Sequence, residues 1–289
     1  MGNILVTGSN GQLGNEIRVL ADTCTQHRYF FTDIDELDIC NEKAVDEFVS
    51  KNNITYIINC AAYTAVDKAE QEQQKAFEIN ATAVDNLCKA AKTAGAFMLQ
   101  ISTDYVFDGT KNTPYIETDK VNPVSVYGKS KLKGEEFVLS HGLPALIVRT
   151  SWLYSSFGNN FVKTILRLAK EKAGLRIIAD QYGTPTYARD LAKAVLQVVS
   201  DKTLPRSPEI YHFSNAGETN WYGFAKAITE LSGINIPVEP IQTKDYPTAA
   251  TRPPYSVFSK EKIIRDFNLH IPDWKDSLKA CLDILNKNN

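Results

Sequence analysis

Tyr127 and Lys131 stand four residues apart, the spacing that puts two side chains on one face of a helix. A phenol titrates near ~10, too high to exchange a proton readily at neutral pH, and a neighbouring ammonium favours the phenolate and lowers that value. Such a pair can give a proton to a carbonyl oxygen as hydride reaches its carbon, or take one back in reverse. Upstream, Ser102 and Thr103 close an apolar run. A hydroxyl there either donates to the same oxygen and stabilises charge developing on it, or caps a turn. Near the N-terminus, Gly8, Gly11 and Gly14 recur as G-x-x-G-x-x-G between an apolar run and a helical pattern. Glycine lets the backbone turn tightly and approach a pyrophosphate, and the helix start behind it offers unpaired N–H groups and a positive dipole end. Asp33, about twenty residues beyond, is placed to bond adenine-ribose hydroxyls; Asp35 or Asp38 could substitute. A carboxylate there disfavours a 2′-phosphate while Arg28 or Lys51 could offset it, so NADH and NADPH both stay open.

These groups need a scaffold, and the first half of the chain supplies its pattern. Residues 4–7, 28–32, 54–60, 96–102 and 145–150 read as strands, the third apolar on both faces as a buried parallel strand should be. Between them, residues 13–22, 41–50, 73–95 and 123–140 read as helices, with Asn41 as an N-cap and Glu42 favourable at the positive end. That alternation predicts an α/β fold: a parallel sheet, covered on both faces through right-handed crossovers, forming a Rossmann-type doubly wound dinucleotide-binding domain over residues 1–150. Beyond residue 150 prolines punctuate the pattern, and helical pieces remain at 159–172, 188–200, 221–232 and 274–286. We expect a smaller substrate lobe over 151–289, with segments returning to the main domain. Asn80 reads either as a holder of a backbone group or water behind Lys131, or as an ordinary polar helix position. Residues 67–70 read as a solvated helix start, with Thr64 and Val66 facing the substrate side. Trp152, just after a strand, reads as core or as a stacking platform.

Composition narrows the function classes. The chain has 289 residues, 43% hydrophobic and 23% charged, ordinary for a globular protein and unlike a disordered, collagenous or coiled-coil chain. At about 150 residues per domain it holds roughly two domains, or one large domain with a lobe. Lys plus Arg number 32 against 34 Asp plus Glu, a net charge of −2, so no basic excess drives nucleic-acid or anionic-membrane binding. Apolar runs fall short of the ~20 residues of a membrane span, and no signal-peptide pattern opens the chain, which points to the cytoplasm. Cys24, Cys40, Cys60, Cys88 and Cys281 are an odd number without C-x-x-C spacing and read as free thiols. The four histidines are equally scattered, and a zinc site has little support.

Together these elements resemble the extended short-chain dehydrogenase/reductase superfamily. The finer wording is similar to one branch, the dTDP-4-dehydrorhamnose reductases: Gly-Gln-Leu-Gly at 11–14, Thr-Ala-Val-Asp-Lys-Ala-Glu at 64–70, Ser-Thr-Asp-Tyr-Val-Phe-Asp-Gly at 102–109, and Tyr-Gly-x-x-Lys at 127–131. Further matches are Arg-Thr-Ser-Trp-Leu-Tyr at 149–154, Asp-Gln-Tyr-Gly-Thr-Pro-Thr at 180–186, and Arg252-Pro253 with Ser256, so the likeness covers nearly the whole chain. The resemblance implies that Tyr127 donates the proton, Lys131 activates it and Thr103 polarises the carbonyl. It implies that Thr103, Asp104 and Trp152 contact the sugar nucleotide. It also implies that Gly11, Gln12, Leu13, Asp33, Asp38, Ile39, Ala61, Ala62, Tyr63, Tyr127 and Lys131, with Gly8 of the loop, line the dinucleotide. The implied reaction is NADH- or NADPH-dependent reduction of the 4-keto group of dTDP-4-dehydro-L-rhamnose to dTDP-L-rhamnose, the last step of dTDP-rhamnose biosynthesis for surface polysaccharide. Tyr63 stands where histidine is frequent, and Tyr255 and Phe258 alter the C-terminal motif. Some members pair through a metal held by C-terminal acids; residues 273–289 show no clear acidic cluster, so a monomer or homodimer without required metal is expected. Two other readings remain: a nucleotide-sugar epimerase or dehydratase, though Tyr105 rather than glutamate follows Asp104, and a non-catalytic partner of methionine adenosyltransferase, though both Tyr127 and Lys131 are present.

Overall fold

In the computed structural model, which describes residues 2–22, 26–201 and 203–287, side-chain alternation along the strands dictates the layering. The central sheet is fully parallel and six-stranded: β1 (Asn3–Thr7), β2 (Arg28–Phe31), β3 (Tyr56–Asn59), β4 (Phe97–Thr103), β5 (Ala145–Thr150) and a sixth strand, Glu209–His212, contributed from the far half of the chain. Ile4, Val6, Ile58, Leu99, Leu146 and Val148 point to one face; Leu5, Ile57, Met98, Ala145 and Ile147 point to the other. Every one of them is buried, so each face demands a helical layer.

Helices meet that demand on both sides. The first face carries α1 (Gln12–Ala21), and the second carries α2 (Glu42–Lys51), as its buried Val45 and Val49 require. Asn41 caps α2, its Oδ1 accepting from the Ala44 N–H at 3.1 Å. The short α3 (Val66–Ala69) and α4 (Gln73–Phe77) lead through a π-helical turn, Glu78–Thr82, into α5 (Ala83–Ala94). The single helix expected over 73–95 is thus three segments in phase with different neighbours. Next, α6 (Val126–His141) starts later than expected because Ser125 caps it, accepting from Gly128 N–H at 3.1 Å. The strands run in the order Glu209–His212, β5, β4, β3, β1, β2, so the chain reverses its winding between β1 and β3.

The remaining helices are α7 (Phe161–Glu171), α8 (Ala188–Val199), α9 (Trp221–Leu231), α10 (Glu261–Phe267) and α11 (Trp274–Lys287). α8 packs on α1 and, with Ile263 and Phe267 of α10, completes the first face. A separate apolar cluster, with Tyr154, Ile165, Phe224, Ile228, Leu278 and Leu282, is built from α7, α9 and α11. Small strand pairs edge it, among them Leu175–Ile178 with Val238–Ile241. Strands of two residues carry no periodicity that could be read from sequence. Cys40, Cys60, Cys88 and Cys281 are free thiols, and Cys24 lies outside the described residues. Among the described residues no three potential metal ligands cluster, and no helix is long and apolar enough to cross a membrane.

Candidate active site

The carboxyl-terminal edge of the sheet, where ligands of doubly wound folds bind, collects the residues marked by the sequence. Gly8 and Gly11 follow β1, Asp33 follows β2, Ala61, Ala62 and Tyr63 follow β3, Thr103 ends β4 and Trp152 follows β5. The glycine loop is shaped by contact with backbone. Gly8 has a left-handed φ of +62°, and a Cβ there would stand 2.6 Å from Ala61 backbone atoms; one on Gly14 would stand 2.5 Å from Ser9 Cα. Gly11 N–H donates to Gly8 O at 3.1 Å, and α1 begins with no side-chain cap and no acid in its first turn. Unpaired N–H groups and an uncompensated positive dipole end fit a pyrophosphate.

Asp33 binds the loop as well: its carboxylate accepts from Asn10 N–H and Ile34 N–H, both at 2.9 Å. Asp38 accepts from Cys40 N–H at 2.9 Å within its own turn. Leu13 and Ile39 are buried in the two sheet-face clusters, and the Ile39 carbonyl accepts from Asn86 Nδ2 of α5 at 3.1 Å. Gln12 accepts from Asn160 Nδ2 at 3.0 Å, tying the loop to the start of α7. Asn80, in the π-turn, exchanges hydrogen bonds with Tyr63 backbone at 2.9 and 3.0 Å and donates to Ser130 Oγ at 3.0 Å. It holds backbone, one of the two roles its position admitted. Tyr63 donates its hydroxyl to Glu72 at 2.8 Å.

At the end of β4 the two hydroxyls part company. Ser102 Oγ turns into the protein and donates to Glu135 at 2.5 Å. Thr103 Oγ1 donates to Asp104 Oδ1 at 3.1 Å and accepts from Tyr105 N–H at 3.2 Å, close enough to the Tyr127 phenol to lower its pKa. Thr103 is the hydroxyl beside the phenol, and it also fills the capping role, closing the 3-10 turn at Asp104–Val106. Asp104 is 2% exposed, and among the described residues its Oδ2 has no hydrogen-bond partner. Burial raises its pKa to about 6 against hydrogen bonds from Ser256 and Thr103.

The phenol departs from expectation. Burial pushes Tyr127 up to about 12; the Thr103 hydrogen bond opposes this and Asp104 adds to it. The Lys131 ammonium does not prevail because it donates instead to Ile101 O at 2.7 Å, and burial brings it down to about 8, with Glu135 and Cys60 opposing. Behind it Glu135 and Arg149 form a buried bidentate pair, with Arg149 Nη2 2.7 Å from Glu135 Oε2. Sequence reading passed over Glu135; its signal was a carboxylate four residues beyond Lys131 on the same helix face.

The outer wall holds another surprise. Asp67, expected to be solvated, pairs with Arg252 through bonds of 2.6 and 3.1 Å, and the hydrogen bond from Arg252 is first among the causes holding its carboxyl below the ordinary range. Glu70 accepts from Val126 N–H at 2.8 Å, adding a second acceptor at the start of α6. Trp152 is half-buried with a left-handed φ of 47°, stacked on Trp221 at 3.6 Å between ring centroids.

Comparison with known proteins gives this arrangement relatives. The family profile described as the RmlD substrate binding domain matches residues 2–287. A dTDP-4-dehydrorhamnose reductase of Aggregatibacter actinomycetemcomitans is 40% identical, over 96% of this chain and 98% of its own length. Among solved structures, a dTDP-4-dehydrorhamnose reductase from Clostridium acetobutylicum superposes with a TM-score of 0.94 at 44% identity, covering 98% of this chain and 99% of that one. The Bacillus anthracis dTDP-4-dehydrorhamnose reductase in complex with NADP gives 0.93 at 37% identity, with coverage of 98% and 99%.

Proposed function

This chain belongs to the dTDP-4-dehydrorhamnose reductase family, and from that premise we propose that it reduces the 4-keto group of dTDP-4-dehydro-L-rhamnose to dTDP-L-rhamnose with NADPH or NADH. The observation that carries this reading is the buried set of Thr103, Tyr127 and Lys131 at the edge of the sheet that also presents the glycine loop. Residues 1–150 hold the dinucleotide through Gly8, Gly11, Gln12, Leu13, Asp33, Asp38, Ile39, Ala61, Ala62 and Tyr63. The remaining chain holds most of the sugar nucleotide, with Asp104 and Trp152 against it. The protein works in the cytoplasm as a monomer or homodimer, without nucleic acid as a partner.

When bound, the reduced nicotinamide supplies the hydride. This chain's own groups manage the proton. A phenol raised to about 12 stays protonated at neutral pH, the form a donor must have. Thr103 Oγ1, whose proton rests on Asp104 Oδ1 in the free protein, swings that proton to the oxygen on which charge develops. As Tyr127 gives up its proton, the Lys131 ammonium one turn away stabilises the phenolate left behind.

The test is absorbance at the reduced-nicotinamide band, with substrate generated in the same tube by a 4,6-dehydratase and a 3,5-epimerase. Enzyme-dependent oxidation that stops when the epimerase is left out is the expected result. No oxidation with either cofactor, by protein that binds both, would overturn the reading.

A further inference from the structure

One buried network behind the site is not used by the chemistry above. Glu135 is 1% exposed and lies one turn beyond Lys131 on α6. Its Oε1 accepts from Ser102 Oγ on β4 and from Arg149 Nε on β5, at 2.5 and 3.0 Å; its Oε2 accepts from Arg149 Nη2 at 2.7 Å. Arg149 reaches His212 Nε2 at 3.5 Å, and His212 Nδ1 lies 3.1 Å from Tyr115 O. Beside a carbonyl, Nδ1 must carry the ring proton, which leaves Nε2 to accept from Arg149. Burial and Arg149 push His212 down to about 3, so it stays neutral and adds no charge. The network therefore joins one helix, three adjacent strands and the loop at Tyr115 through a single carboxylate.

That carboxylate also faces Lys131. The groups around this ammonium are Glu135 on its own helix, the Cys60 thiol just after β3 and the Ile101 carbonyl of β4; Arg149 of β5 stands behind Glu135. Cys60 is itself pushed up to about 12 and is a neutral thiol at working pH. Glu135 is thus the anion that acts on Lys131.

Building on the reductase reading, we propose that Glu135 is a positioning residue: it pins the end of β4 through Ser102, so that the neighbouring Thr103 faces the phenol, and it keeps the buried Lys131 charged. Activity that needs the ammonium should fall as pH rises past the Lys131 midpoint, near 8 in the native protein. Glu135→Gln preserves shape and one acceptor while removing charge. It should move the Lys131 midpoint down by about one pH unit, lower kcat above neutrality on the order of tenfold, and leave both KM values within about twofold.

The deciding measurement is carbon NMR titration of ε-labelled lysine in the cofactor-free protein, which reads Lys131 whatever reaction the enzyme catalyses; Lys131→Met assigns the resonance. The kcat–pH profile in the nicotinamide assay is recorded beside it. If wild-type protein lacks reductase activity while the titration shifts as expected, the functional reading fails and the Glu135–Lys131 coupling stands. Should Glu135→Gln fail to fold, Ser102→Ala serves: it removes a donor that partly neutralises Glu135 and should move the midpoint upward. A folded Glu135→Gln protein with an unmoved midpoint, or Ser102→Ala with an unmoved or lowered one, overturns the proposal.

Discussion

The glycine loop and the junction of α6, β4 and β5 occupy one edge of one sheet, yet opposite kinds of interaction shape them. In the loop, backbone meets backbone: Gly8 against Ala61, Gly14 against Ser9, and N–H groups left for a ligand. At the junction, side chains meet side chains: Ser102, Glu135, Arg149 and His212 are all buried, and the hydrogen bonds among them cross elements far apart in sequence. The first arrangement works by the absence of side chains and the second by their charge. A site that must approach a phosphate closely and also hold an ammonium in low dielectric needs both.

The largest expected effect would break the comparison at the junction. Tyr127→Phe should cut kcat by about 10²–10⁴-fold while leaving NADPH affinity within about twofold. Turnover in the nicotinamide assay and cofactor titration by fluorescence check the two halves, and retained activity would remove Tyr127 from its role. The mirror experiment is Gly8→Ala. A Cβ at a left-handed residue, 2.6 Å from Ala61 backbone, should cost about 2–5 kcal/mol in urea unfolding and weaken cofactor binding at least tenfold.

A smaller effect sharpens the contrast by reversing sign. The folded value of about 6 for Asp104 lies above the ordinary carboxylate value, so the native state holds that proton more tightly than the unfolded chain. Ionised Asp104 therefore costs stability, a cost fully felt above about pH 6 and absent below about pH 4. Asp104→Asn should stabilise the protein by about 2–3 kcal/mol at pH 8 and change little at pH 4, as measured by urea unfolding at each pH. The gain should come with lower turnover, since strained or desolvated polar groups at functional sites exchange stability for activity.

How far the sequence spoke follows the same division. Gly8, Gly11 and Gly14 between a strand and a helix, the doubly wound alternation and the four-residue step from Tyr127 to Lys131 are local patterns, and the sheet carries them as expected. Glu135 with Arg149, and Asp67 with Arg252, are pairs whose partners meet only through the fold. No spacing announces them. The phenol's upward shift is of the same kind, since burial depends on everything packed around the ring. The small strands of the second half stayed hidden for another reason: four of them have only two residues, and no regular alternation with helices frames the rest.

The π-turn at Glu78–Thr82 has a consequence for how this chain tolerates length change. Each α-helical residue advances the side-chain direction by about 100°, so one residue gained or lost turns everything beyond it to a new bearing. The wider turn absorbs one residue locally. Asn80 can then point at Tyr63 and Ser130 while Val84, Leu87, Cys88 and Ala91 still face the sheet. A deletion within these five residues would restore a smooth helix and lose one alignment or the other.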